Sequence, residues 1–109
     1  MGKEPRVTSN VAAILAAMLA DSNREWYGLE LAQAAEVGSA TVYAALTRLE
    51  RAGWVKGSWE SIDPKVVGRP RRRLYSLTGD GVRLGGGAVE KQRERLRGLL
   101  GPASEEQTA

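Results

Sequence analysis

The 109-residue chain contains no cysteine and no histidine. The first absence excludes disulfides, thiolate metal sites and thiol nucleophiles; the second removes imidazole ligands and every triad built on an imidazole base. Ser39, Ser58, Ser61 and Ser76 therefore have no such base to activate them. The acids show no paired spacing for acid–base work, and Gly85-Gly86-Gly87 is not followed by the Lys-Ser/Thr that a phosphate loop requires. Long apolar runs are also missing. The longest, Val11–Ala20, is too short to span a bilayer and closes on Asp21, Arg24 and Glu25 without a small-residue cleavage site. These absences point to a protein that is not an enzyme, with no cofactor implied and a cytoplasmic location expected.

The length suits one domain with a tail, and 42% hydrophobic residues can build a real but small core. The net charge of +3 is unevenly spread. Residues 1–53 carry five basic and six acidic side chains, and residues 79–109 carry five of each. Residues 54–78 carry six basic and two acidic ones, with Arg69, Arg71, Arg72 and Arg73 almost contiguous. A short basic element inside a balanced domain is the footprint of a polyanion binder, although a solvated loop has the same composition.

Hydrophobic periodicity supplies the elements. Thr8, Ser9 and Asn10 offer an N-cap, and Val11, Ile14, Leu15, Met18 and Leu19 form the stripe of a helix with one buried face. A shorter helix is predicted from about Tyr27 to Ala35, followed by a tight turn, Glu36-Val37-Gly38, in which Gly38 is free to take positive φ. Ser39 is expected to cap a third helix that ends at Gly53 and buries Val42, Ala45, Leu46 and Leu49. Trp54–Ile62 and Leu74–Thr78 read as antiparallel strands; Pro64, Gly68 and Pro70 argue against helix between them. Thr78 caps a last helix, weakened by its glycines at ~1 kcal/mol each relative to Ala and best formed over Ala88–Leu100. The predicted fold is mainly α with a small β wing: a winged helix-turn-helix plus a C-terminal dimerisation helix. Residues 1–8 are expected as a flexible arm, 9–78 as the DNA-binding domain, 79–100 as the dimerisation helix and 101–109 as a disordered tail.

A capped helix that is small and polar on its outer face fits a duplex major groove. The candidates there are Ser39, Ala40, Thr41, Tyr43, Ala44, Thr47, Arg48 and Arg51. Small residues let the backbone approach base edges, and Ala44 offers a methyl to thymine. The wing adds Lys65, Arg69 and Arg71, which can lie along the sugar-phosphate backbone or enter the minor groove. Alternation along the strand puts Arg71 and Arg73 on one face and Arg72 on the other.

The stretches Trp26-Tyr27-Gly28-Leu29-Glu30-Leu31, Ser39-Ala40-Thr41-Val42-Tyr43, Leu46-Thr47-Arg48-Leu49-Glu50-Arg51-Ala52-Gly53-Trp54-Val55 and Gly68-Arg69-Pro70-Arg71-Arg72-Arg73-Leu74-Tyr75-Ser76-Leu77-Thr78 resemble the PadR family of bacterial transcriptional regulators. The resemblance covers roughly residues 11–84. It implies a dimeric repressor whose third helix and wing bind an inverted-repeat operator, dimerising through its first and last helices. Two departures stand out: Ala44 replaces the proline that often follows the recognition-helix tyrosine, and the last helix resembles that of the short-tailed branch.

Independently, a domain this small cannot easily bury the stripes of both the first and last helices, which nominates Ile14, Met18, Val82, Val89, Leu96 and Leu100 for a homodimer interface. The competing function is a winged-helix protein–protein interaction module using the same outer face; the concentrated arginines favour DNA. Some relatives hold flat aromatic ligands near the dimer interface. A small aromatic effector has only Trp26, Trp54 and Trp59 as candidates by type here, and Trp26 and Trp54 read better as core packing.

Overall fold

The computed structural model describes the backbone of residues 4–106 and the side chains of residues 4–100. Its elements are α1 (Ser9–Leu19), β1 (Trp26–Tyr27), α2 (Gly28–Ala35), α3 (Ser39–Arg51), β2 (Val55–Trp59), α4 (Pro64–Val67), β3 (Arg73–Leu77) and α5 (Gly79–Glu106). The three strands form one antiparallel sheet in the order β1-β3-β2, with Val55 opposite Leu77, Gly57 opposite Tyr75 and Trp26 also opposite Tyr75. Among the described residues, no helix is long and apolar enough to cross a membrane.

The stripes predicted for α1 and α3 meet in the core. Ile14, Leu15, Met18, Leu31, Val42, Leu46 and Leu49 are all but fully buried, and Trp26, Trp54, Tyr75 and Leu77 close over them from the sheet side. Thr8 caps α1, its hydroxyl oxygen accepting from the Val11 N–H at 3.2 Å, a contact worth ~1 kcal/mol.

The turn between α2 and α3 differs from expectation. Glu36, not Gly38, takes the left-handed conformation (φ 56°), and its N–H closes α2 by bonding back to Ala32 and Gln33. Gly38 is extended and occupies the N-cap position of α3, so Ser39 is the first helical residue rather than the cap. The wing also holds a helix that its prolines and glycine argued against. Asp63 accepts from the Lys65 N–H, Pro64 sits in the first turn where a missing N–H costs nothing, and Gly68 ends the turn at positive φ. Those residues punctuate a helix rather than forbid one. β1 was not expected, because two residues carry no period.

The junction after α3 positions everything downstream. Gly53 takes positive φ (79°) as the residue beyond the helix end, as expected. Thr78 donates its hydroxyl to the Gly53 carbonyl at 2.6 Å and its N–H to the Trp54 carbonyl at 3.0 Å, then caps α5 by accepting from the Gly81 N–H. α5 starts pressed against the end of α3 and packs along α1. Gly85 faces Leu15 and Trp54 inside the chain, whereas nothing approaches Gly86 or Gly87.

The packing of α1 corrects the interface expectation. Ile14 and Met18 are buried at 0% and 1% exposure in the chain's own core, and Val89 is spent there too. One copy covers these stripes because α1 is sandwiched between α2, α3 and α5. Of the nominated interface residues, Val82, Leu96 and Leu100 remain exposed. α5 continues past Leu100 to Glu106, through positions expected as tail; residues 107–109, like Met1–Lys3 of the arm, lie outside the described residues. Within the arm, Pro5 and Val7 are half-buried.

A Cβ at Gly81 would collide with the Trp54 carbonyl, a backbone atom that cannot move aside. Gly81→Ala is expected to cost about 1–3 kcal/mol of stability by overpacking, measured by urea unfolding, while Gly86→Ala is neutral or stabilising.

Candidate nucleic-acid interface

α3 presents the face expected of it. Ser39, Ala40, Thr41, Tyr43, Ala44, Thr47, Arg48 and Arg51 are all exposed, and Val42, Ala45, Leu46 and Leu49 hold the opposite side. Arg48 and Arg51 stand in its last turn, where cations suit the helix dipole, and make no ion pair among the described residues. Thr47 is less available than its type suggested. Its hydroxyl donates to the Tyr43 carbonyl at 3.0 Å, which leaves lone pairs and a methyl to face outward.

Tyr43 is seated by a neighbour from α2. A Cβ at Gly28 would lie 2.5 Å from its ring, so the ring fits only because Gly28 has no side chain. With Tyr27, Gln33, Arg72 and Arg73 it borders a recess of about 370 Å³ between α2, α3 and β3. The recess brings the outer edge of α3 against the base of the wing.

The wing arginines divide into two kinds. Arg69 is turned inward: its Nη1 and Nη2 donate to Glu60 Oε1 and Oε2 at 2.7 and 3.0 Å, and Nη1 also reaches the Pro70 carbonyl. Arg73 donates to Glu50 of α3 at 3.1 Å and lies 5.3 Å from the Trp59 ring. By contrast, Arg71 uses only its Nε, on the Ile62 carbonyl, and the rest of its exposed guanidinium is open. Arg72 is exposed over the Tyr27 ring at 5.0 Å, and Lys65 is exposed on α4. Alternation puts Arg72 on the face opposite Arg71 and Arg73, but β3 begins at Arg73, so period-2 reasoning reaches neither Arg71 nor Arg72. Tyr27 and Gln33 had no separate signal in the sequence.

Glu60 is the buried acid of this region, at 8% exposure. Besides Arg69, it accepts from the Arg72 N–H at 2.9 Å and the Tyr27 hydroxyl at 2.8 Å. The Arg69 guanidinium holds its carboxyl well down, to about 2 from 4.5; burial opposes the shift, and the Arg72 and Tyr27 bonds add to it. The three tryptophans do not converge. Trp26 and Trp54 are core residues, and Trp59 is exposed beside Arg73.

A polar, cation-ended helix beside an open basic wing is the surface of a duplex-binding winged helix. The family model of the PadR-like transcriptional regulators matches residues 14–84. The chain belongs to this family. It is a DNA-binding transcriptional regulator and not an enzyme. No curated protein matches the chain.

Solved structures of regulators share the fold. The PcaV regulator of Streptomyces coelicolor, solved with its natural ligand, is 22% identical at a TM-score of 0.72, over 94% of this chain and 67% of that one. NadR in complex with 4-hydroxyphenylacetate is 25% identical at 0.60, over 94% and 69%. MepR, which regulates the multidrug efflux pump MepA of Staphylococcus aureus, is 21% identical at 0.61, over 94% and 72%.

Two expectations follow for this regulator. Tyr43→Phe keeps the ring on Gly28 and should weaken duplex binding by ~1 kcal/mol, the value of one hydrogen bond, with unchanged helix content by circular dichroism. Because Glu60 is more acidic folded than unfolded, its contribution to stability is full above about pH 4.5 and is lost as pH falls towards about 2. Thermal unfolding should show the advantage of wild type over Glu60→Gln level above that range and vanishing at its acid end.

Proposed function

We propose that this regulator is a sequence-specific repressor that binds an inverted-repeat operator as a homodimer. The observation carrying the DNA half is the continuity of α3 with the wing: Tyr43, Thr47, Arg48 and Arg51 are exposed, and the recess beside Tyr43 joins them to Arg72. Side chains from α3 read base edges while Arg71, Arg72 and Lys65 hold the sugar-phosphate backbone.

The dimer half is supported by α5. Beyond Gln92 every described residue of this helix is exposed, including Leu96, Leu99 and Leu100 at 49%, 82% and 65%. A helix projecting from its body draws little stability from propensity alone, and this one carries glycines. Beside it, Ala12, Ala13, Ala16, Val89 and Leu96 line a shallow apolar groove of about 230 Å³ between α1 and α5. A second copy of α5 supplies the leucines that such a groove lacks. Two-fold symmetry then sets the two α3 helices about one DNA turn apart, ~34 Å.

Selection from random duplexes should return an inverted repeat with half-sites about 10 bp apart. Binding should fall ~10³–10⁵-fold between 50 and 200 mM salt if about 6–10 phosphates are neutralised. Light scattering should give twice the chain mass of 11.8 kDa, and Leu96→Glu should give helical monomers that no longer bind the operator. A wild-type monomer at micromolar concentration, or an asymmetric site, would overturn the assembly.

A further inference from the structure

The wing is the basic part of this chain, yet among the described residues its buried charged side chain is an acid, Glu60, placed beside the surface proposed to meet a polyanion. From the geometry around it we infer that Glu60 is the positioning residue of the wing: it ties both limbs of the wing to the start of α2, and it withholds Arg69 from DNA to do so. The inference rests on the DNA-binding reading of this face and assigns its parts.

Both Glu60 oxygens are doubly engaged. Oε1 accepts from Arg69 Nη1 and the Arg72 N–H, and Oε2 accepts from Arg69 Nη2 and the Tyr27 hydroxyl, all at 2.7–3.0 Å. The Glu60 N–H donates to the Arg72 carbonyl at 2.9 Å, so the two residues are joined twice at the neck of the wing. Everything from Ser61 to Arg71 hangs outside that neck, with only α4 as regular structure. The third anchor is what matters for DNA. Tyr27 is the N-cap residue of α2, immediately before the Gly28 on which Tyr43 of α3 is seated. A short path of bonded and packed groups thus connects the wing to the recognition helix and sets their spacing. A forked, bidentate guanidinium–carboxylate pair with two further donors has a narrow geometry, which suits positioning better than charge supply.

Charge offers a test of sign. If Glu60 were only an anion near DNA, or Arg69 a phosphate ligand restrained by it, Glu60→Gln would tighten binding. Positioning predicts the reverse: Glu60→Gln weakens operator binding about tenfold, as the wing must then be ordered at the moment of binding. Arg69→Gln should weaken it comparably while leaving the slope of log affinity against log salt unchanged. A lost phosphate contact would lower that slope by about 1. The double variant should be no weaker than either single one, because both break the same pair. Hydrogen exchange at the Arg72 amide and across residues 61–71 should quicken in each variant while the α1 and α3 core keeps its protection. That readout needs no DNA.

Glu60→Gln that binds as tightly as wild type or tighter, with Arg72 still protected, would overturn the proposal. So would an Arg69→Gln salt slope reduced by about 1. A wild type that binds no duplex would instead overturn the DNA reading, and exchange at Arg72 would still decide whether Glu60 holds the wing.

Discussion

The junction at Gly53 and Trp54 is the constraint on which the remaining architecture depends. Within three residues the chain leaves α3, turns through a left-handed glycine and enters β2, and the carbonyls exposed by that turn are claimed by Thr78. Thr78 ends β3 and starts α5, so α3, the wing and the long helix all register against the same pair of carbonyls. Gly81 lies so close to one of them that no side chain fits. The start of α5 is therefore held to the end of α3 by hydrogen bonds of 2.6 and 3.0 Å rather than by a flexible linker.

Net charge described this surface only coarsely. The wing's cations differ in what they do: Arg69 and Arg73 are occupied by Glu60 and Glu50, whereas Arg71 and Arg72 keep open guanidinium edges. Paired arginines shape the protein, and open ones meet solvent or a polyanion. A count of basic residues cannot separate them, because the difference lies in which acids the fold brings near. Glu60 meets Arg69 only when the hairpin closes, and Glu50 meets Arg73 only when that hairpin packs against α3.

What the sequence reveals follows from what is periodic or local. The helical stripes of α1 and α3, the positive φ at Gly53, the cap at Thr78 and the hairpin strands all have signals within a few residues, and each is found where expected. Ala40, Ala44, Thr47 and Arg51 are exposed because a 100° rotation places them opposite a stripe that the core does bury, and Thr41, Arg48 and Tyr43 are exposed on its shoulders. The failures are tertiary or strained. Glu36 accepts a left-handed conformation that glycine would adopt at less cost. Proline in the wing starts a helix because Asp63 caps it. Ile14 and Met18 looked surplus only because the depth to which α5 covers α1 was not apparent.

α5 is anchored to the body as far as Gln92, whose amide donates to the Ser9 hydroxyl of α1 at 3.2 Å, while its exposed leucines begin at Leu96. In the proposed dimer that separation makes the helix a ruler. Each residue gained or lost between the anchor and the seam turns the leucines by about 100° and shifts them by about 1.5 Å. The distance and phase between two recognition helices are thus written in a segment that touches neither the core nor DNA. Relatives could drift to operators of different half-site spacing by changing that segment alone, with the base-reading face of α3 left untouched.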